Sequence, residues 1–145
     1  MDLSAITMYQ ACLLHSRAER VLKTMVSRCL EDWEITRMEW ILLATVAEQS
    51  KVPAGHTMGE LADVLDVRMS QVTALMTKMT EAQLLRQETS ATDRRTRYVT
   101  ITKRGTKLLD EIEKSMRGAM RDWLGSIPRA DLSVYMRTVE RLGNS

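Results

Sequence analysis

The spacing of apolar residues along this chain switches between two periods, and turn residues mark each switch. Ile6, Tyr9, Leu13, Val21, Leu22, Met25, Val26, Cys29 and Leu30 recur at nearly helical intervals, which predicts a long amphipathic helix over residues 4–30. Thr36-Arg-Met-Glu39 follows as a capping box, with Ile35 and Trp40 at the two staple positions, so a second helix starts there and runs to about Ser50. Pro53 and Gly55 punctuate the next loop. Thr57-Met-Gly-Glu60 repeats the capping device ahead of Leu61, Ala62, Val64 and Leu65, a short third helix. After the brief turn Asp66-Val67-Arg68, a fourth helix from Met69 to Gln83 sets Val72, Leu75, Met76 and Met79 on one stripe. Its other face holds Ser70, Gln71, Thr73, Ala74, Thr77 and Lys78.

The period then becomes two. Leu84–Glu88 and Arg97–Thr102 read as strands joined by a turn over 89–96, with Tyr98, Thr100 and Thr102 opposite Val99 and Ile101. Thr102 caps a fifth helix reaching about Leu124, and Pro128 opens a sixth with Leu132, Tyr135, Met136, Val139 and Leu142 on its apolar stripe. Two helices joined by a short turn and followed by a hairpin outline a winged helix-turn-helix over about 36–102. The expected fold is therefore mainly α with a small β-hairpin wing, in a single domain spanning 1–145. The helices at 4–30 and 103–143 carry more apolar surface than a lone helix-turn-helix needs to cover, so they are expected to pair two copies.

Composition adjusts this picture in three places. Net charge is only +2, yet residues 84–105 hold Arg86, Arg94, Arg95, Arg97, Lys103 and Arg104 against Glu88 and Asp93. The basic character is thus local, as a binding surface requires. Eleven Met and no Phe point to a Met-filled core. No Lys or Arg precedes Arg17, and the longest apolar run, Trp40 to Ala47, is far below the roughly 20 residues of a membrane span, so a cytoplasmic protein with no membrane partner is expected.

Enzymatic chemistry finds no support. There is no Gly-x-x-x-x-Gly-Lys, Gly-x-Gly-x-x-Gly, His-Glu-x-x-His or Cys-x-x-Cys, and His15 lies far from His56. Cys12 and His15, at i and i+3, supply too few ligands for a metal. No catalytic residue, metal or cofactor is assigned.

A helix in the major groove and an arginine-bearing tip in the neighbouring minor groove is the DNA contact this outline allows. Asp93 is expected to hold one of the wing arginines through a carboxylate–guanidinium pair. The motifs Leu61-Ala62-x-x-Leu65-x-Val67, Ser70-Gln-Val72-Thr73-x-Leu75, Leu84-Leu85-Arg86 and Asp93-Arg-Arg95-x-x-x-Val99-x-Ile101-Thr102-x-x-Gly105 resemble the MarR family of bacterial transcription regulators over residues 36–124. The resemblance implies a homodimer on double-stranded DNA with a pseudo-palindromic operator, often released by a small aromatic or phenolic effector. It further implies that Arg95 enters the minor groove and Asp93 orients it, that Arg94 and Arg97 meet phosphates, and that Arg68, Ser70, Gln71 and Thr73 face the bases. Two departures stand out. Ala74 occupies a position where many relatives carry a long basic residue, which leaves it methyl contacts to thymine, and Met69 is apolar at an exposed turn. Lys78 is expected at a phosphate. An effector cleft between the first, second and fifth helices would draw on His15, Arg17, Trp40 and Met116. Two other readings stay open: a thiol-based redox sensor acting through Cys12, and a winged-helix assembly module that does not bind DNA.

Overall fold

Thr36 and Glu39 close the capping box that the sequence predicts. The Thr36 N–H donates to Glu39 Oε2 at 3.0 Å, and the Glu39 N–H to Thr36 Oγ1 at 3.2 Å. The structure, a computed structural model, describes residues 7–49 and 55–145. Its helices are α1 (Met8–Leu30), α2 (Arg37–Gln49), α3 (Met58–Leu65), α4 (Met69–Glu81), α5 (Lys103–Leu124) and α6 (Arg129–Gly143). Its strands are β1 (His56–Thr57), β2 (Leu85–Thr89) and β3 (Arg97–Ile101). The expected start of the first helix at residue 4, Ile6 in its stripe, the end of the second at Ser50, and Pro53 lie outside the described residues.

Thr57 and Thr102 act as caps, each accepting the backbone N–H of the third residue on, Glu60 at 3.2 Å and Gly105 at 3.0 Å. Between α3 and α4 the chain turns through Asp66, which takes the left-handed conformation at φ 51°. Asp tolerates that region better than most residues, so the turn can be short.

Two elements differ from expectation. A short 3-10 turn, Glu31–Trp33, links α1 to α2. The hairpin is also joined by a third strand, giving an antiparallel sheet in the order β1-β3-β2, with His56 opposite Val99 and Gln87 opposite Val99 on the other side. A two-residue strand such as β1 carries no period of its own and forms only because β3 offers it an edge.

One apolar cluster ties these elements together. Leu30, Leu42, Leu43, Leu61, Val72, Met76, Met79, Leu85, Val99 and Ile112 are almost wholly buried in it. Every third or fourth residue of α4 is consumed, which turns the rest of that helix outward. No residue of α6 is buried, and its Val134, Tyr135, Met136, Val139 and Leu142 are exposed. Among the described residues, no helix is long and apolar enough to cross a membrane.

Candidate nucleic-acid interface

With Val72, Met76 and Met79 inward, α4 presents Arg68, Met69, Ser70, Gln71, Thr73, Ala74, Thr77 and Lys78 to solvent. Several of these polar groups are already in use. Gln71 Oε1 accepts the backbone N–H of Arg68 at 3.0 Å, capping the helix. Thr73 and Thr77 donate back to the carbonyls of Met69 and Thr73 at 2.9 and 3.0 Å. Reading adenine through both atoms of the Gln71 amide therefore requires releasing its cap, since the paired contact needs oxygen and nitrogen together. Arg68 and Ser70 carry side chains with no hydrogen bond among the described residues.

Lys78 is exposed on the polar face, as expected, but has a partner within the chain that the sequence does not announce. Its Nζ lies 3.0 Å from Oε1 of Glu39, 39 residues earlier. Glu39 is the buried charged residue of the described core, 6% exposed. Burial pushes its carboxyl up, but the Thr36 N–H and the Lys78 ammonium outweigh burial and hold it below the usual carboxylate range.

The wing tip is folded by its own side chains. The Ser90 N–H donates to the Thr96 carbonyl at 2.9 Å, and the Thr96 N–H to the Asp93 carbonyl at 3.1 Å. Asp93 does not grip a guanidinium. Its Oδ1 accepts the Arg95 backbone N–H at 2.9 Å, and its Oδ2 accepts the Thr96 hydroxyl at 3.0 Å. The Arg95 N–H is the main cause, and the Thr96 hydroxyl the second, of a carboxyl held below its ordinary range. A short acidic side chain reaching its own backbone two residues on outcompetes a long, fully hydrated arginine. Arg94, Arg95 and Arg97 are exposed, and their guanidinium groups have no partner among the described residues. Arg86, by contrast, is spent on Glu88 at 2.9 Å and the Thr100 hydroxyl at 3.2 Å.

A cleft of about 520 Å³ opens between α1, α2 and α5. Leu22, Val26, Trp40, Ile41, Met116 and Met120 form its apolar walls, and Cys29 borders it. Trp40 and Met116 thus stand where the sequence suggested, while His15 and Arg17 do not line it. The cleft begins at Glu19, one turn beyond His15, and Arg17 is rotated roughly 200° from Glu19 around α1. His15 Nδ1 instead lies 3.2 Å from the Ala11 carbonyl of its own helix. Sequence reasoning missed Lys23, Arg37 and Arg117 at the rim. Arg117 follows Met116 directly and Arg37 lies inside the capping box, so neither carries a signal of its own in the sequence. Glu19 pairs with Lys23 at 2.8 Å and also feels the charge of Arg37; Arg117 and Glu113 complete the charged lining. Cys12 is exposed on α1 and away from this cleft; both cysteines are free thiols.

Comparison with known proteins places this geometry. Residues 33–96 match the model of the MarR family. CouR from Rhodococcus jostii, solved bound to p-coumaroyl-CoA, superposes with a TM-score of 0.80 at 20% identity, covering 89% of this chain and 88% of that one. BpsR of Bordetella bronchiseptica, whose DNA binding is regulated by 6-hydroxynicotinic acid, gives 0.78 at 15% identity, covering 100% and 98%. MepR of S. aureus, solved in complex with DNA, gives 0.77 at 15%, covering 95% of each chain. At these identities the likeness is one of fold.

Proposed function

We propose, from the premise that the chain belongs to the MarR family through residues 33–96, that it is a sequence-specific transcription regulator. It binds a pseudo-palindromic operator on double-stranded DNA as a homodimer and acts as a repressor in the cytoplasm. Catalysis has no place in this reading, since the family is one of regulators. The observation that carries it is the joint exposure of two surfaces: the outward face of α4, and a wing tip whose three arginines have no internal partner. A module built only for protein assembly has no need to keep both uncovered and hydrated.

The dimer follows from α6. Tyr135, Val139 and Leu142 at i, i+4 and i+7, with Met136 64% exposed, form an apolar stripe that its own chain leaves open. A second copy related by a two-fold axis presents the same stripe, which is the commonest way a soluble chain closes such a face. Met8, Tyr9, Trp123 and Ile127 are exposed as well.

Selection from a random duplex pool, followed by gel shifts over a salt series, tests the reading. The expected result is a site with two half-sites about 10 base pairs apart, bound by two chains, with affinity falling steeply as salt rises. Failure to retard any duplex, or binding indifferent to salt, overturns it.

The cleft between α1, α2 and α5 is the effector site in this scheme. Its apolar walls accept a flat ring, Arg37 and Arg117 attract a carboxylate, and the Trp40 Nε1–H is a buried donor with no acceptor among the described residues. Aromatic acids are the class expected there, in keeping with the 6-hydroxynicotinic acid that regulates BpsR; the p-coumaroyl-CoA of CouR shares the aromatic ring but is a thioester. An effector that binds the DNA-free form more tightly releases the operator. Thermal-shift screening of aromatic carboxylates, followed by addition to the DNA complex, checks this. Stabilisation together with release is expected; absence of any stabilising compound removes the assignment.

A further inference from the structure

Glu39 is the point where the body of the molecule takes hold of its recognition helix, and the position of Lys78 shows how. The buried carboxylate divides its two oxygens between helices. Oε2 closes the capping box of α2 through the Thr36 N–H, and Oε1 holds the ammonium of Lys78 near the end of α4. Among the described residues no other ion pair joins two helices: Glu19–Lys23 lies within α1, His56–Glu60 spans four residues, and Arg86–Glu88 lies within β2.

Burying a carboxylate is costly unless its oxygens are matched. Thr36 and Lys78 supply that match, with the carboxylate buried and the ammonium exposed, so a slide or rotation of α4 on α2 lengthens or breaks this pairing. Apolar packing of Val72, Met76 and Met79 also holds α4, but it is less directional than an ion pair.

We propose that Glu39 is a positioning residue that sets the recognition helix through Lys78, and that Lys78 serves the DNA complex by this route rather than by contacting phosphate. The proposal rests on the DNA-binding reading given above. It also supplies a link to the cleft. The same turn of α2 that presents Glu39 to α4 carries Arg37, Trp40 and Ile41 on the cleft side. An occupant that shifts those three residues moves the carboxylate as well, and α4 follows.

Glu39→Gln separates the two roles of Lys78 by the sign of the effect. Glutamine still closes a capping box, so α2 keeps its start, and the ammonium loses its anionic partner. If Lys78 were a phosphate contact held back by Glu39, freeing it would tighten binding to every duplex. If Glu39 positions α4, affinity for the selected operator falls about 3- to 10-fold while affinity for unrelated duplex is unchanged or rises. The measurement is a pair of gel-shift titrations on the full chain, operator and scrambled duplex, after thermal unfolding confirms that the variant is folded. Lys78→Met provides the second arm. The salt slope of the operator complex is expected to match wild type, because no phosphate contact is lost. A slope smaller by about 0.9 for each subunit's lysine overturns the proposal, as does operator affinity equal to or tighter than wild type in Glu39→Gln. If wild-type chain binds no duplex, the DNA-binding reading itself has failed, and that outcome is visible before either variant is made.

Discussion

Gly105→Ala is expected to lower the melting temperature by on the order of 2–6 °C. A Cβ at this position would press into the carbonyl oxygen of Leu84 and come within 2.8 Å of Ile101 Cγ1. The Leu84 carbonyl cannot retreat cheaply, because it accepts the Thr102 N–H at 3.1 Å, and the Thr102 hydroxyl that borders it is tied to the neighbouring Gln83 carbonyl at 2.7 Å. Nor can the helix move away: the Gly105 N–H donates to Thr102 Oγ1 at 3.0 Å, the cap that starts α5. The methyl therefore breaks either the cap or the closure of the hairpin, at about 1–3 kcal/mol, against a gain of roughly 0.5–1 kcal/mol for alanine over glycine in a helix. Gly118→Ala is the control, since a Cβ there meets nothing within 4 Å, and it should be neutral or stabilising. Thermal unfolding of the two variants side by side decides the matter. If Gly105→Ala melts at or above wild type, the glycine is not what lets α5 pack against the base of the wing.

That junction also shows what the sequence could and could not reveal. Thr36, Thr57 and Thr102 announced three helix starts, because a cap is a local event settled within four residues. The inward stripe of α4 was equally legible, since a period near 3.6 survives any tertiary context. What stayed hidden was non-local or competitive. His56 and Thr57 became β1 only through pairing with β3, more than 40 residues further along the chain. No local pattern links Lys78, expected at a phosphate, to the glutamate two helices earlier that its ammonium meets. Asp93 has a partner other than the expected guanidinium: its carboxylate settles on the nearest backbone donor and the neighbouring hydroxyl. His15 and Arg17 do not line the cleft for a geometric reason, as an α1 of 23 residues extends past the stretch that borders it. The third and fourth helices and the wing were thus readable as a winged helix-turn-helix, whereas the contacts that hold them in register required the fold.

Arg95→Ala is expected to weaken operator binding by about 1–3 kcal/mol per half-site, roughly 5- to 150-fold, the largest functional effect among the surface residues. The side chain is exposed and unpaired, so its removal costs the free protein nothing and the whole difference appears in the complex. Binding to unrelated duplex weakens too, because a narrow minor groove attracts a guanidinium with little regard to sequence. Arg94→Ala, at a phosphate, should lower the salt slope by about 0.9 per wing and weaken all duplexes alike. Asp93→Ala separates shape from charge. It removes a negative charge beside DNA, so electrostatics alone predicts tighter binding. It also removes the acceptor for the Arg95 N–H and the Thr96 hydroxyl, which lets the tip lose its folded form and makes ordering it a cost of binding. Weaker binding by Asp93→Ala, with Asp93→Asn closer to wild type because its amide oxygen still accepts, is the expected order in a gel-shift series. Tighter binding by Asp93→Ala would show the tip to be a bare charge, and wild-type affinity in Arg95→Ala would show that the wing does not enter the complex.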